Sequence, residues 1–109
     1  MKAIYKRTFQ EPRIVNVDNT LEGLAGYVGS PIQEFPFAAD ASVICNGEWR
    51  LQGRTVHFAV GGEEFGGPIL IVGTDGENYT DLPQPEVIME LLWPTAEHKK
   101  RPTPARAGR

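Results

Sequence analysis

Four side chains within nine residues have the chemistry to bind an anion that carries an aromatic ring. An indole can stack on a nucleobase, and a guanidinium is a planar donor that holds phosphate through two parallel hydrogen bonds. The same segment is also compatible with a solvated strand face whose charges pair with carboxylates. We take the four residues as the candidate ligand-binding site: Trp49, Arg50, Arg54 and His57.

Other chemical motifs in the chain are incomplete. Residues 61–67 are rich in glycine but lack the Gly-Lys-Ser/Thr ending of a Walker loop and the helix-opening glycines of a dinucleotide fingerprint. Residues 73–77 lack the alternating ligand positions of an EF-hand. With Cys45, His57 and His98 alone, one chain cannot assemble a zinc site of three or four nitrogen and sulfur ligands. The sequence therefore predicts no metal, no cofactor and no catalytic residue, and a packed, inert thiol at Cys45.

Charge is unevenly distributed along the chain. The formal net charge is −3. Residues 94–109 hold five basic side chains against Glu97, whereas residues 1–93 hold 6 basic and 13 acidic side chains. An acidic domain repels polyanions, so we expect no nucleic-acid partner beyond weak contact through the basic tail. Any small anion must be attracted by local cations.

The N-terminal part predicts a hairpin followed by a helix. Residues 2–6 and 13–17 have strand patterns and are separated by a short turn. Asn19 is the predicted N-cap of the helix, with Glu22 at capping-box spacing. Gly29 is placed to end the helix in a left-handed conformation. The apolar stripe of the helix is Leu21, Leu24, Ala25 and Val28.

The middle of the chain predicts strands joined by turns. Residues 32–37 read as an edge strand because they contain Pro36. Asn46 and Gly47 form a strong hairpin signal, which predicts that strands at 41–45 and 48–51 pair with each other.

The next segments continue the sheet. Residues 54–60 predict another strand, residues 61–67 a flexible loop, and residues 68–72 the most buried strand. A turn over residues 73–78 is predicted to lead back into the sheet at residues 79–80.

Asp81 is predicted to begin a second helix, with Gln84 at capping-box spacing and Pro94 as its end. Hairpins with separate helices indicate an α+β fold, in which two helices pack on one face of a mostly antiparallel sheet. We expect residues 1–93 to form a single domain. Residues 94–109 contain no apolar side chain larger than alanine apart from proline, so we expect a disordered basic tail.

The sequence also bears on compartment and assembly. It contains no apolar run near the 20 residues of a membrane span, and its N-terminus lacks the apolar region of a signal peptide. With a single cysteine, we expect a cytoplasmic protein. We also expect a homo-oligomer, because three aromatic side chains in the least regular region would otherwise be exposed: Trp49, Phe58 and Phe65.

Five segments occur together in a characteristic order. They are residues 1–4 (MKAI), 18–24 (DNTLEGL), 28–34 (VGSPIQE), 43–46 (VICN) and 69–76 (ILIVGTDG). With them, residues 1–93 resemble a family of small proteins from phages, plasmids and other mobile elements that is catalogued only as a domain of unknown function. The turn after Asn46 departs from the Asn-Glu-Glu-Gly type common in that family. The resemblance implies an accessory protein in a bacterial cytoplasm and assigns no catalytic residue.

Three functions are compatible with these observations. The first is a non-catalytic binder that sequesters a small host signalling nucleotide, as an anti-defence sponge. The second is an inhibitor that contacts a host defence or nucleic-acid enzyme as an acidic decoy. The third, which the sequence favours least, is a small nucleotide hydrolase with Asp75 or Glu77 as base. We therefore expect a protein that is not an enzyme and whose partner is a small anionic, nucleotide-like ligand.

Overall fold

The computed structural model of the chain describes residues 1–94. These residues contain eight strands and two helices, which confirms the predicted α+β class. The elements are β1 (Lys2–Lys6), β2 (Arg13–Asn16), α1 (Leu21–Val28), β3 (Ile32–Ala38), β4 (Ala41–Asn46), β5 (Val56–Val60), β6 (Glu63–Gly66), β7 (Ile69–Asp75), β8 (Asn78–Thr80) and α2 (Pro85–Leu92).

Six of the strands form one antiparallel sheet. Its order is β2-β1-β7-β4-β3, and β8 pairs with β7. The predicted hairpin of β1 and β2 is confirmed. The predicted edge position of the proline-containing strand is confirmed as well, because β3 lies at the end of the sheet and pairs only with β4. The central strand β7 is buried from Ile69 to Gly73, in agreement with its apolar sequence.

The placement of both helices on one face of the sheet is wrong. Helix α1 buries Leu24 and Val28 against one face, whereas α2 packs Ile88, Met89 and Leu92 against the other. The central strands are apolar on both faces, and a sheet of that kind must be covered on both sides. The uninterrupted apolar sequence of β7 indicated burial on both faces, because a strand with one solvent-exposed face would alternate apolar and polar residues.

The N-cap of helix α1 lies one residue later than predicted, at Thr20 instead of Asn19. The side chain of Thr20 accepts a hydrogen bond of 2.9 Å from the backbone N–H of Gly23, so Thr20 is the N-cap. Asn19 instead donates from Nδ2 to the carbonyl oxygen of Tyr79, 2.8 Å away. The helix ends at Val28, and Gly29 follows as the C-cap with a φ of 88°, a value that favours glycine.

The predicted hairpin through Asn46 and Gly47 is wrong. Strand β4 pairs with β3 and β7, and residues 47–53 form turns. The Oδ1 atom of Asn46 accepts from the backbone N–H of Glu48 at 2.8 Å, and Gly47 N–H donates to the carbonyl oxygen of Pro31 at 2.7 Å. Such local bonds compete with a two-residue hairpin turn.

The predicted flexible loop over residues 61–67 is also wrong. Strand β6 pairs with β5 in a separate two-stranded sheet, and positive φ angles of 61° and 83° at Gly61 and Gly62 make the connection. This β5–β6 hairpin lies on the α2 side of the main sheet, because Phe58 and Phe65 belong to the apolar cluster on that side.

Helix α2 begins at Pro85, not at Asp81. Asp81 accepts a 2.7 Å hydrogen bond from the backbone N–H of Lys2 and thereby ties the segment before α2 to the start of β1. The predicted disorder of residues 94–109 falls, beyond Pro94, outside the described residues. Neither helix within residues 1–94 is long and apolar enough to cross a membrane.

Candidate functional site

The structure gives Trp49 and Arg50 different positions from those that a base-stacking site requires. Trp49 is buried, with 7% of its surface exposed. The guanidinium carbon of Arg50 lies over its ring, 4.3 Å from the centroid. Because the indole already carries a cation, it orients Arg50 and presents no open face on this side to a ligand.

Arg54 and His57 both contact Gly67, which lies between β6 and β7. The imidazole Nε2 of His57 contacts the carbonyl oxygen of Gly67. The side-chain carbons of Arg54 pack beside the same glycine. Gly66 is in contact with the ring of Trp49, since a Cβ at this position would overlap that ring. Three of the four predicted residues, Trp49, Arg54 and His57, thus contact Gly66 or Gly67, but the four do not line one common cavity.

A small cavity of about 170 Å³ contains Trp49 and Arg50. Its wall also includes Glu63 and Glu64, which are exposed. Two carboxylates beside one guanidinium reduce its attraction for a phosphate. Arg54 and His57 are not part of this wall.

Two larger cavities flank the loop of residues 7–12, which joins β1 to β2. They lie on opposite faces of the sheet, because successive side chains of β1 point to opposite faces. On the α1 face, a cavity of about 350 Å³ is lined by Tyr5, Arg7 and Arg13 among others. On the α2 face, a cavity of about 340 Å³ includes Lys6 and His57. We refer to the latter as the Lys6 cavity; its other lining residues are Phe9, Gln10, Glu11, Pro12 and Trp93.

Lys6 is the most unusual group in the Lys6 cavity. Only 8% of its surface is exposed, although lysine is almost never this buried without a partner. Its ammonium donates a 2.7 Å hydrogen bond to the carbonyl oxygen of Arg7. Burial lowers the pKa of Lys6, because a cation that loses water is less stable in its charged form.

His57 places an imidazole beside this ammonium. Burial lowers the pKa of His57, the contact with the Gly67 carbonyl opposes that shift, and the charge of Lys6 lowers the pKa further. Because Nε2 faces a carbonyl acceptor, it carries the proton, and Nδ1 bears the lone pair of the neutral ring. That Nδ1 is buried and has no hydrogen-bond partner among residues 1–94.

Two aromatic rings complete the wall of the Lys6 cavity. Trp93 packs on Phe58, with ring centroids 4.8 Å apart. Phe9 is 91% exposed, the highest value among the large apolar side chains of the described residues. The cavity therefore combines the ammonium of Lys6 and two aromatic rings with the carboxylate of Glu11. The ammonium can bind an anion, and the rings can stack on a ring that the anion carries. The neutral imidazole adds no free N–H donor, because its proton faces the carbonyl of Gly67.

Sequence reasoning found His57 but missed Lys6, Phe9 and Trp93. Alternation in β1 places Lys6 on the same buried face as Ile4. Because lysine is rarely buried, this position in the sequence could have indicated a functional role for Lys6. Phe9 and Trp93 lie outside the strands and helices, so periodicity gave no information on their positions.

Other candidate groups lie elsewhere. Asp75 and Glu77, the proposed base of a hydrolase, are exposed at the β7–β8 turn and line none of the three cavities. Burial raises the pKa of the Cys45 thiol, which is buried in β4. Within residues 1–94, no group of three His, Cys, Asp or Glu side chains could hold a metal ion.

The fold and these cavities define an α+β domain with a two-sided antiparallel sheet and a candidate site at the β1–β2 loop. The chain belongs to the family described as Domain of unknown function (DUF3846), which matches residues 1–92. This confirms the predicted membership of a family that is catalogued only as a domain of unknown function. No curated protein and no solved structure matches the chain.

Proposed function

We propose that this protein is a non-catalytic binder of a small, anionic, nucleotide-like ligand, which it holds in the Lys6 cavity. The observation that carries the proposal is the burial of Lys6 at 8% exposure, with a hydrogen bond to one backbone carbonyl. An ammonium has three donors, so it retains capacity for the oxygens of an anion. A bound phosphate would compensate the desolvated charge.

The energetics favour this position over the exposed arginines. A hydrogen bond between ionised groups contributes roughly 1.5–3 kcal/mol, and it is strongest where water is excluded. Lys6 is buried, whereas Arg50 and Arg54 are exposed. Loss of the Lys6 contact should therefore weaken binding by roughly tenfold or more.

The size and lining of the cavity limit the ligand. A volume of about 340 Å³ lies at the low end of the range, roughly 300–1,000 Å³, of small-molecule sites. This suits a mononucleotide or one half of a cyclic dinucleotide. The rings of Phe9 and Trp93 supply surfaces for a base.

We further propose a biological role for this binding. The protein would act in a bacterial cytoplasm as an accessory factor of a phage or mobile element, where it sequesters a nucleotide signal made by a host defence system. Family resemblance supports this context, and sequestration requires a cavity but no catalytic group.

We propose a homo-oligomer as well. Exposed aromatic side chains do not support it, because Trp49, Phe58 and Phe65 are all buried. Helix α2 supplies another reason, since Val87 and Leu91 are 51% and 75% exposed.

The test is calorimetry of the full chain against AMP, cyclic mononucleotides, cyclic dinucleotides and ADP-ribose. Lys6→Met removes the ammonium and keeps the length of the side chain. Lys2→Met is the matched control, because Lys2 lies on the same strand but is exposed. Arg50→Ala and Arg54→Ala test the residues that the sequence indicated.

The proposal predicts that one ligand of the panel binds and that Lys6→Met weakens it at least tenfold, while Lys2→Met has no effect. If Arg50→Ala or Arg54→Ala weakens ligand binding and Lys6→Met does not, the ligand binds at the residues predicted from the sequence. Absence of binding across the panel at high micromolar concentration would refute the proposed function. Mass spectrometry of the same mixtures would detect a product if the protein were a hydrolase.

The alternative of a protein inhibitor has one observation in its favour. The exposed Val87 and Leu91 alternate with Glu86 and Glu90 on α2, which gives an acidic, apolar face for a protein partner. Salt-sensitive co-purification of one host protein, abolished by Leu91→Asp, would support this function in place of nucleotide binding.

A further inference from the structure

Phe9 occupies an unusual backbone conformation at the mouth of the Lys6 cavity. Its φ is 64°, in the left-handed region that glycine and asparagine tolerate best. It lies in a turn closed by a 3.1 Å hydrogen bond from the backbone N–H of Gln10 to the carbonyl oxygen of Arg7. A turn of this kind with positive φ at its third residue normally uses glycine or asparagine there. A phenylalanine at this position carries a strain that the turn itself does not require.

The side chain of Phe9 makes the choice of residue more unusual. Its ring is 91% exposed, so it contributes little to the apolar core. Phe9 therefore lowers the stability of the fold in two ways, through its strained backbone and through its exposed apolar ring. Residues with strained backbone conformations cluster at active sites and ligand sites, where a gain in function can outweigh their cost in stability.

The position of the ring indicates what it does. Phe9 lines the same cavity as Lys6, His57 and Trp93. The ammonium of Lys6 in that wall can bind the phosphate of a ligand, whereas the phenyl ring has no attraction for a phosphate. It can, however, stack on an aromatic base, a contact that any base can make because each has a π-face.

We propose that Phe9 is a specificity-determining residue that covers the base of the ligand and makes the site select ring-bearing phosphates over simple phosphate. This inference rests on the proposed function and assigns its selectivity to one side chain. The Arg7 carbonyl that accepts from the Lys6 ammonium also closes the turn of Phe9. The groups that hold the phosphate and the base are therefore fixed relative to each other by a single peptide group.

The experiment compares AMP with inorganic phosphate as probes, with affinities measured by titration of the NMR spectrum of the full chain. Phe9→Gly removes the ring and relieves the backbone strain. Phe9→Trp keeps a stacking ring. Leu51→Ala is the matched control, because Leu51 is also an exposed apolar side chain in a turn, at 86% exposure, and does not line the Lys6 cavity.

We expect wild-type protein to bind AMP more tightly than phosphate, and Phe9→Gly to weaken AMP by roughly tenfold without changing the affinity for phosphate. The same variant should melt at a higher temperature than the wild type, because glycine adopts this φ without strain. Phe9→Trp should retain AMP binding, and Leu51→Ala should change neither affinity.

Three results would overturn the inference. If Phe9→Gly weakens AMP and phosphate equally, Phe9 only shapes the loop. If the wild type binds phosphate in the Lys6 cavity but AMP no more tightly, the proposed anion site stands and the role of Phe9 fails. If the wild type binds neither probe, the proposed function fails for these probes and the role of Phe9 fails with it.

Discussion

Replacement of Lys6 by methionine should stabilise the fold while it removes ligand binding. Lys6 is 8% exposed and donates a hydrogen bond to the carbonyl oxygen of Arg7. The ammonium itself is partly buried. Loss of water costs a cation free energy, and one charge-assisted hydrogen bond offsets about 1.5–3 kcal/mol of that cost. Methionine fills nearly the same space without a charge.

The expected gain in the free energy of unfolding is about 1 kcal/mol, the usual yield of a substitution that removes a functional cost. For a domain of this size, about 1 kcal/mol corresponds to a rise in melting temperature of roughly 4–8 °C. Thermal unfolding at pH 7 without ligand is the assay, and Lys2→Met, which should change little, is the control.

The pH dependence provides a second readout of the same variant. The folded-state pKa of Lys6 is lowered, so the unfolded chain binds more protons in the window between that value and the ordinary value of lysine. Stability should therefore rise with pH through that window in the wild type, and this contribution should be absent in Lys6→Met. A melting temperature lower than that of the wild type at pH 7 would show that the bond to Arg7 outweighs desolvation, and the reasoning on Lys6 would be wrong.

Three further predictions concern the fold. Gly66→Ala should destabilise it by about 1–3 kcal/mol in chemical unfolding, because the new Cβ would overlap the ring of Trp49; an unchanged midpoint would show that the ring has room to move. Burial, together with hydrogen bonding to Glu34, raises the pKa of Tyr79 to about 12, so its stabilising contribution should be present below about pH 10 and lost as pH rises through 12. Ultraviolet titration of Tyr79→Phe against the wild type measures this, and a phenol that titrates near its ordinary pKa would contradict it. Thr20→Ala should cost about 1 kcal/mol in thermal unfolding through the lost N-cap of α1; no loss would leave the cap unimportant.

The sequence predicted the elements of the fold better than their partners. The patterns of β1, β2, β3 and β7 identified those strands because alternation and β-branched side chains report local geometry. The hairpin predicted at residues 41–51 is absent, because the Asn-Gly pair reports a turn but not the direction of the chain after it. Residues 46–49 do form turn hydrogen bonds, but the chain that follows does not pair with β4.

The candidate site was harder to predict than the fold, because its parts come from distant positions. The Lys6 cavity brings together the β1–β2 loop, β5 and the end of α2. Residues 49–57 are close in sequence and predicted His57 as part of a site. Lys6 and Trp93 are distant in sequence and meet His57 only after the β5–β6 hairpin and α2 pack on the same face of the sheet.

The most direct test of the central claim is the pKa of the Lys6 ammonium with and without a bound anion. NMR titration of the lysine side-chain carbons measures this value, with Lys2 as an internal control on the same strand. In the free protein we expect the pKa of Lys6 below the ordinary value, and we expect it to rise when a nucleotide from the panel is added, while Lys2 remains unchanged. By linkage, an anion that binds a charged ammonium must raise its pKa. A nucleotide that binds the protein but leaves the pKa of Lys6 unchanged would contradict the placement of the site at Lys6.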